Sequence, residues 1–339
     1  MLKLYKYIII TILLLGCNMI YAQQLPTSTH YLVNPYALTP VLAGYTGYSE
    51  VFLNYRNDWT RIDGSPRTFS ASGFGDVYKE KMWIGGEIMT DKTDILSVFK
   101  ANLSWTYKLQ LENNQYLFFG IWTTFYQASV KTSNGIGVDP NDPIIQNNNK
   151  LNSSALNAGF GINYNWNSFN IGFSMPTMFG SNDEYVQNSS FKYKVQRQFQ
   201  IHSSYLFDLD DQWQLQTIGV FRKTGNQPAT VEVSAMSIYN GRFWGGMLYR
   251  NGGVLAINIG GQVYNGFVFN YSYEIGMGNI NKGSGGSHEI TIGYRFNFTN
   301  NNYFESKEND SGKRGKRGRS RKSRSVNYPE VKDFNYKRN

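Results

Sequence analysis

The sequence predicts an all-β protein, a transmembrane antiparallel β-barrel of about fourteen strands. Three observations support this fold: apolar and polar side chains alternate with a two-residue period, aromatic residues and glycine are abundant, and long connections alternate with short ones. The last strand, at residues 288–298, has isoleucines and aromatics on one face and polar residues on the other. A wall between lipid and a polar lumen requires this pattern.

The composition agrees with a barrel. The 339 residues include 25 Tyr, 22 Phe, 7 Trp and 34 Gly but only 9 Pro, and 17% are charged. Aromatic girdles and glycines at strand bends account for such usage. The sequence has no repeating helical period and no alternation of strands with helices, and these are the patterns that would indicate a soluble α/β enzyme. A soluble β-sandwich with long loops is the alternative fold.

The strands are predicted from period and turn signals. They are residues 49–58, 67–74, 82–90, 98–109, 115–126, 154–166, 169–175, 198–208, 212–222, 229–238, 243–250, 254–263, 267–275 and 288–298. The connections after strands 5, 7 and 13 are long, whereas those after even-numbered strands are short and include the hairpin dipeptides at 240–241 and 265–266. Long loops outside and short periplasmic turns are typical of outer-membrane barrels, so both termini are predicted to be periplasmic.

The sequence divides into four segments. Residues 1–22 are predicted to be a signal peptide, because Lys3 and Lys6 precede an apolar run and Ala22 offers a cleavage site. The alternative is a lipobox that ends in an acylated Cys17. Residues 23–48 are then a periplasmic segment, 49–298 the barrel and 299–339 a basic periplasmic tail.

The tail carries eight basic residues and no acidic residue between positions 313 and 324, in a chain of net charge +9. They are Lys313, Arg314, Lys316, Arg317, Arg319, Arg321, Lys322 and Arg324. Such a segment is expected to be disordered and to bind anions. In the periplasm its candidate partners are membrane lipid headgroups, cell-wall polymer or an acidic protein, and no nucleic acid is expected. A merely solvated tail is the alternative.

The sequence indicates no catalytic, cofactor-binding or metal site. Metalloprotease, serine hydrolase and phosphate-loop motifs are missing from it. Two alternatives stay open: His202 with Ser203 or Ser204 as a hydrolytic pair on the outer wall, and calcium binding by Asp139, Asp142 and the asparagines at 147–149.

The N-terminal third carries a family resemblance. The residues involved are Gln23, Gln24, His30, Tyr31, Asn34, Pro35, Ala43, Gly44, the run 55–59, the run 64–68, the run 85–88 and Asp91, with Gly293, Tyr294, Arg295 and Phe296 near the end. With these residues the chain resembles the PorP/SprF family of type IX secretion membrane proteins of Bacteroidetes, over residues 23–298. It departs from the family at 39–41, where it reads Thr-Pro-Val, and at Asp58, where a Gln is common. The basic tail is not shared.

The resemblance implies an outer-membrane barrel that serves as an attachment point of the secretion and gliding apparatus. It implies partners among other type IX secretion or gliding proteins: the C-terminal domain of a secreted adhesin, or a periplasmic ring component or peptidoglycan-bound lipoprotein. The candidate binding residues are Tyr55, Arg56, Asp58, Trp59, Gly64, Pro66 and Asp91. Arg56 and Asp58 share a strand face and are expected to meet in the lumen, either as a structural pair or as a binding site. A porin-like channel for small solutes is the second function considered.

Truncation after Asn300 tests the role of the tail. The barrel is expected to fold and insert, because the last strand ends at Phe298. Retention of partners is expected to fall and to depend on salt, because each basic residue near an anionic membrane surface contributes on the order of 1 kcal/mol. Co-purification with full-length and truncated protein at low and high salt measures this. Unchanged partners with unchanged secretion and gliding would identify a solvated appendage.

Overall fold

The computed structural model describes residues 27–130, 151–180, 195–264, 266–277 and 285–296. The predicted signal peptide with Cys17, the candidate calcium ligands Asp139, Asp142 and 147–149, and the basic tail lie outside the described residues.

Fourteen antiparallel strands form a closed barrel in which each strand pairs with its neighbours in sequence and β1 pairs with β14. The strands are β1 Ser49–Asn57, β2 Arg67–Tyr78, β3 Met82–Lys92, β4 Leu96–Glu112, β5 Gln115–Val130, β6 Leu151–Trp166, β7 Phe169–Thr177, β8 Gln198–Asp208, β9 Trp213–Thr224, β10 Thr230–Tyr239, β11 Phe243–Arg250, β12 Val254–Tyr264, β13 Phe267–Gly276 and β14 Ser287–Phe296. This confirms the predicted fold class. Several strands are longer than predicted. For example, β4 and β5 extend beyond the predicted ranges 98–109 and 115–126.

The two-residue period separates the two faces of the wall. On β14, Ile290, Ile292 and Phe296 are 39–50% exposed on the outside, whereas Glu289 and Arg295 are 1% exposed on the inside. Closure satisfies the edge hydrogen bonds of β1 and β14, which a membrane would otherwise leave unpaired. Among the described residues, no helix is long and apolar enough to cross a membrane.

The two ends of the barrel differ. The connections that follow even-numbered strands have two to four residues and lie at one end, called here the turn end. The opposite end holds the long connections after β5, β7 and β13 and is called here the mouth. Aromatic pairs cluster near the turn end, such as Trp213 with Tyr239 and Phe267 with Tyr294, each with ring centroids 4.8 Å apart. Such a belt suits the boundary between hydrocarbon and water.

The chain before β1 fills part of the lumen. Residues 29–46, called here the plug, comprise a 3-10 turn at His30–Leu32, the one-turn helix α1 at Pro35–Leu38 and a second 3-10 turn at Pro40–Leu42. Most plug side chains are buried, and Val41 and Ala43 are completely so. The plug therefore belongs to the core of the barrel.

Residues 23–48 are predicted from the sequence to be a periplasmic segment, but residues 29–46 of this range lie inside the barrel. The apolar side chains of this segment, among them Tyr31, Leu32, Tyr36 and Leu42, need burial, and the lumen beside β1 provides it. The segment joins β1 directly, so the lumen is the nearest apolar volume that it can reach.

Substitution of Leu103 by Arg tests the lipid-facing wall. Leu103 lies mid-strand on β4 and is 61% exposed, while Leu209 in the short turn after β8 is 60% exposed. Leu103→Arg is expected to destabilise the folded barrel by about 2–4 kcal/mol, and Leu209→Arg by about 0–1, because only position 103 contacts hydrocarbon. Unfolding in lipid vesicles, followed by heat-modifiable gel mobility, measures both. Equal costs would place Leu103 outside the hydrocarbon.

Candidate functional site: the plugged lumen and its mouth

The plug descends through the lumen from the mouth to the turn end. At mid-height, the hydroxyl of Tyr36 lies 2.8 Å from Oγ of Ser104 and donates to Oδ1 of Asn102 at 3.2 Å. Closer to the mouth, the backbone carbonyl of Leu38 accepts from Nε2 of Gln200 of β8 at 2.9 Å. Side chains from β4 and β8 thus hold α1 between two separate parts of the wall.

One glycine of the wall and one of the plug let the lower plug approach the strands closely. A Cβ added at Gly120 of β5 would lie 2.8 Å from Cα of Val41. Nearer the turn end, Gly44 has φ +77°, and a Cβ there would lie 2.2 Å from the Trp83 ring of β3. Both contacts are too short for any side chain, so these positions require glycine. The plug is consequently seated directly on the wall.

At the mouth, one buried carboxylate holds the start of the plug. Glu289 of β14 accepts from the Ser28 hydroxyl, from the Thr29 backbone N–H at 3.0 Å and from the Thr29 hydroxyl at 2.9 Å. The same carboxylate accepts from Nδ2 of Asn54 at 2.8 Å and from Nη1 of Arg56 at 3.2 Å. A charged acceptor with several donors is a strong anchor for the chain.

A second buried carboxylate repeats this arrangement on β10. Glu232 accepts from the Tyr31 hydroxyl at 2.8 Å and pairs with Arg222 at 2.6 Å and Arg250 at 2.8 Å. Burial and the neighbouring Glu232 raise the pKa of Tyr31 well above its usual value, so its phenol keeps the proton that it donates. The plug is therefore tied to β10 as well as to β14.

The two carboxylates belong to a larger group, called here the mouth cluster. It consists of Arg56, Asp58, Arg222, Glu232, Arg250, Glu274 and Glu289. Arg56 contacts Asp58 at 2.6 Å and Glu274 at 2.5 Å. Four acidic and three basic groups thus compensate one another where the interior excludes water.

His30 lies beside this cluster as a polar plug residue. Its Nδ1 is 2.6 Å from Oγ1 of Thr291, and its Nε2 is 2.8 Å from Oγ of Ser272. Burial lowers the pKa of His30, so the ring is neutral near pH 7 and both nitrogens are used by hydroxyl groups.

The predicted pair of Arg56 and Asp58 is confirmed by its salt bridge. The other candidate binding residues are dispersed. Tyr55 is 44% exposed on the outer wall and Trp59 is 46% exposed, whereas Asp91 accepts from the Thr68 hydroxyl at 2.8 Å.

Gly64 and Pro66 shape the connection between β1 and β2. Gly64 has φ +72° and its carbonyl accepts from the Asp94 N–H at 3.1 Å, while the carbonyl of Pro66 accepts from Asp58 N–H at 3.0 Å. The Thr60 N–H donates to the carbonyl of Gly286 at 3.1 Å. The motif therefore ties this connection to its neighbours at the rim of the mouth.

His202 faces the lumen, not the outer wall. It is 2% exposed, and its Nε2 lies 3.0 Å from Oδ1 of Asn163. Ser203 lies on the opposite face of β8 in the two-residue alternation, and Ser204 hydrogen-bonds to Tyr45 of the plug. The alternative of a hydrolytic pair on the outer wall is therefore wrong. Within the described ranges, no group of three or more His, Cys, Asp or Glu side chains could hold a metal ion.

Space remains beside the plug near the mouth. A polar cavity of 160 Å³ lies between α1 and the wall, where Lys100 and Glu87 form a salt bridge of 2.8 Å. A second cavity of 80 Å³ lies on the other side of Ser28 and Ala37. Both are small compared with the lumen that the plug occupies.

Sequence reasoning missed five members of the mouth cluster and the plug itself. The missed members are Arg222, Glu232, Arg250, Glu274 and Glu289. Each is a charged residue at an inward position within three residues of a strand end at the mouth. The sequence signal that could have revealed the cluster is the presence of charged residues near the mouth ends of several strands.

Together, the closed wall, apolar exterior and plugged lumen define a transmembrane β-barrel protein of the outer membrane. The sequence profile of the type IX secretion system membrane protein PorP/SprF matches residues 20–294. The chain belongs to this family. No curated protein sequence matches it.

Solved outer-membrane barrels have distant similarity to the chain. A Pseudomonas aeruginosa FadL homologue is 9% identical with a TM-score of 0.45, covering 81% of this chain and 96% of its own. The Ralstonia pickettii toluene transporter TbuX is 10% identical with a TM-score of 0.43, covering 76% and 91%. Acinetobacter baumannii Omp33 is 6% identical with a TM-score of 0.43, covering 74% and 99%. Values this low carry no information about function.

Substitution of Gly120 by Ala tests the seat of the plug. The new methyl would meet Val41, whereas a Cβ at Gly219 of β9 would meet nothing within 4 Å. Gly120→Ala is expected to destabilise the barrel by about 1–3 kcal/mol through overpacking, and Gly219→Ala by about 0.5 or less. Urea unfolding in vesicles measures both. A Val41→Gly background removes Cβ and Cγ2 of residue 41 but keeps its Cα, 2.8 Å from the new methyl, so only part of the cost of Gly120→Ala should disappear. Equal costs for Gly120→Ala and Gly219→Ala in the unaltered background would contradict the contact.

Proposed function

We propose that this barrel is a membrane anchor of the type IX secretion apparatus and holds a protein partner instead of conducting solutes. The observation that carries the proposal is the plug, which occupies the lumen from the mouth to the turn end. Membership of the PorP/SprF family supports the secretion setting. The alternative is a porin-like channel for small solutes.

The plug argues against the channel through its distributed contacts. It touches β14, β10 and β8 near the mouth, β4 at mid-height, and β5 and β3 below. A diffusive pore needs a continuous water-filled path, and these contacts cross the lumen at three heights. Opening such a path would break the hydrogen bonds from Ser28, Thr29 and Tyr31 to Glu289 and Glu232, and it would expose the buried apolar side chains of the plug to water.

Two partner surfaces follow from the proposal. With the long connections outside, the mouth faces secreted proteins such as adhesin C-terminal domains. The turn end and the tail face periplasmic ring components or peptidoglycan-bound lipoproteins, while the outer wall contacts lipid. The geometry of the described side chains supports binding and not catalysis, because the buried acids are all engaged with arginines, hydroxyls or backbone N–H groups of the chain.

Purification under mild detergent tests the proposal with two measurements on one sample. Mass spectrometry is expected to find type IX secretion or gliding proteins, compared with a strain that lacks this protein. The same sample in planar bilayers is expected to give no conductance of porin size, because the plug fills the lumen.

A variant with a loosened plug provides the internal comparison for the bilayer measurement. Glu232→Ala combined with Glu289→Ala removes the two carboxylates that hold residues 28–31 and is expected to produce fluctuating conductance. Glu112→Ala, an exposed carboxylate at the turn end, is the matched control and should stay silent. Large stable open steps of the unaltered protein, together with no specific partner, would favour the channel.

A further inference from the structure

We infer that the chain preceding Thr27 leaves the barrel through the mouth. The N-terminal end of the processed protein then lies on the same side of the membrane as the long connections. Phe296, at the turn end, lies on the opposite side, so the two ends of the polypeptide face different compartments. This contrasts with the expectation that both termini are periplasmic.

The first step is the position of Ser28 and Thr29. Both residues bind Glu289, the third residue of β14, which follows the long connection after β13. The Thr29 hydroxyl also lies 3.0 Å from Oγ of Ser272, five residues after β13 begins and four before it ends at the mouth. The plug therefore begins in the half of the lumen that adjoins the long connections.

Contacts on β10, four strands away around the barrel, give the same height. Tyr31 binds Glu232, the third residue of β10, which also starts at the mouth. Thr27 lines the 160 Å³ cavity together with Thr224, the last residue of β9, and Thr230, the first of β10. The first described residue is thus level with strand ends at the mouth on this side of the barrel too.

Beyond Leu38, which still binds Gln200 near the mouth, the chain moves towards the turn end. Tyr36 already reaches the middle of β4, Val41 lies against Gly120, and Gly44 lies on Trp83, the second residue of β3 after a short turn. Ser49 then begins β1 at the turn end. The plug crosses the lumen once, in the direction from mouth to turn end.

The packed plug blocks the other exit. A chain leaving from Thr27 towards the periplasm would have to pass back through the section of the lumen that residues 36–46 occupy. There the plug contacts the wall at β3 and β5 closely enough to require glycine at 44 and 120, so such a chain would have to pass around the plug. The cavity at Thr27 instead adjoins the mouth.

The consequence concerns which partners can reach each end of the protein. A partner outside the cell can meet the N-terminal residues and the long connections together. A periplasmic partner has access to the short turns and to the chain that follows Phe296. Segments 23–26 and 299–339 are therefore expected to serve partners in different compartments.

Cysteine labelling on intact cells tests this inference. The sole cysteine, Cys17, lies in the predicted leader, so the unaltered protein supplies the background. Gln24→Cys is treated with a small membrane-impermeant maleimide before and after permeabilisation of the outer membrane. Asn147→Cys, in the long connection after β5, and Asp211→Cys, in the short turn after β8, report the two sides.

Gln24→Cys is expected to label on intact cells to the same extent as Asn147→Cys, at least tenfold above Asp211→Cys. Labelling that requires permeabilisation, as for Asp211→Cys, would overturn the inference, and so would no labelling in either state while both controls respond. Because the comparison is between sides of one barrel, it holds whether or not the protein anchors a secreted partner.

Discussion

A wall of fourteen strands encloses more space than its own side chains can fill, and this constraint governs the rest of the structure. A barrel of about eight strands is just filled by inward side chains. Here the inner face carries buried acids, arginines, amides and hydroxyls, and a buried polar group without a partner costs roughly 1–3 kcal/mol. The plug supplies those partners, since its Thr29 and Tyr31 donate to Glu289 and Glu232 and its Leu38 carbonyl accepts from Gln200. Wall and plug are therefore complementary parts of one core.

The wall could be predicted from the sequence because lipid imposes a simple rule on it. On β14, Ile290 and Ile292 must meet hydrocarbon while Glu289 avoids it, and this alternation is visible without any knowledge of tertiary contacts. The plug follows no such rule. It consists of single helical turns too short to show a period, and the partner of Tyr31, Glu232, is 201 residues away in sequence. Only its density of apolar and aromatic residues before β1 indicated burial.

The family motif was predicted as a binding region, and the structure divides it into parts with different physical roles. Arg56 and Asp58 lie in the mouth cluster, and the alternation of β1 was enough to predict their pairing. Gly64 and Pro66 shape a connection through backbone contacts with Asp94 and Asp58, which sequence spacing could not reveal. Trp59, 46% exposed beside this connection, is the motif residue with the most surface available to a partner or to the membrane boundary. A single motif thus contains residues that pack in the lumen, residues that shape the connection between β1 and β2, and one residue that is exposed on the surface.

The plug also has a mechanical consequence that bears on the proposed anchoring role. A wide, empty barrel can deform because each strand is held only by its two neighbours. Here β14 and β10 are joined through Glu289, residues 28–31 and Glu232, and β4 and β8 are joined through α1 by Ser104 and Gln200. Below them, Arg295 and Glu50 form a fully buried pair of 2.6 Å across the seam between β14 and β1. These cross-lumen and seam contacts oppose flattening at several heights, so a load applied at the mouth would be shared by the whole wall and the surrounding lipid.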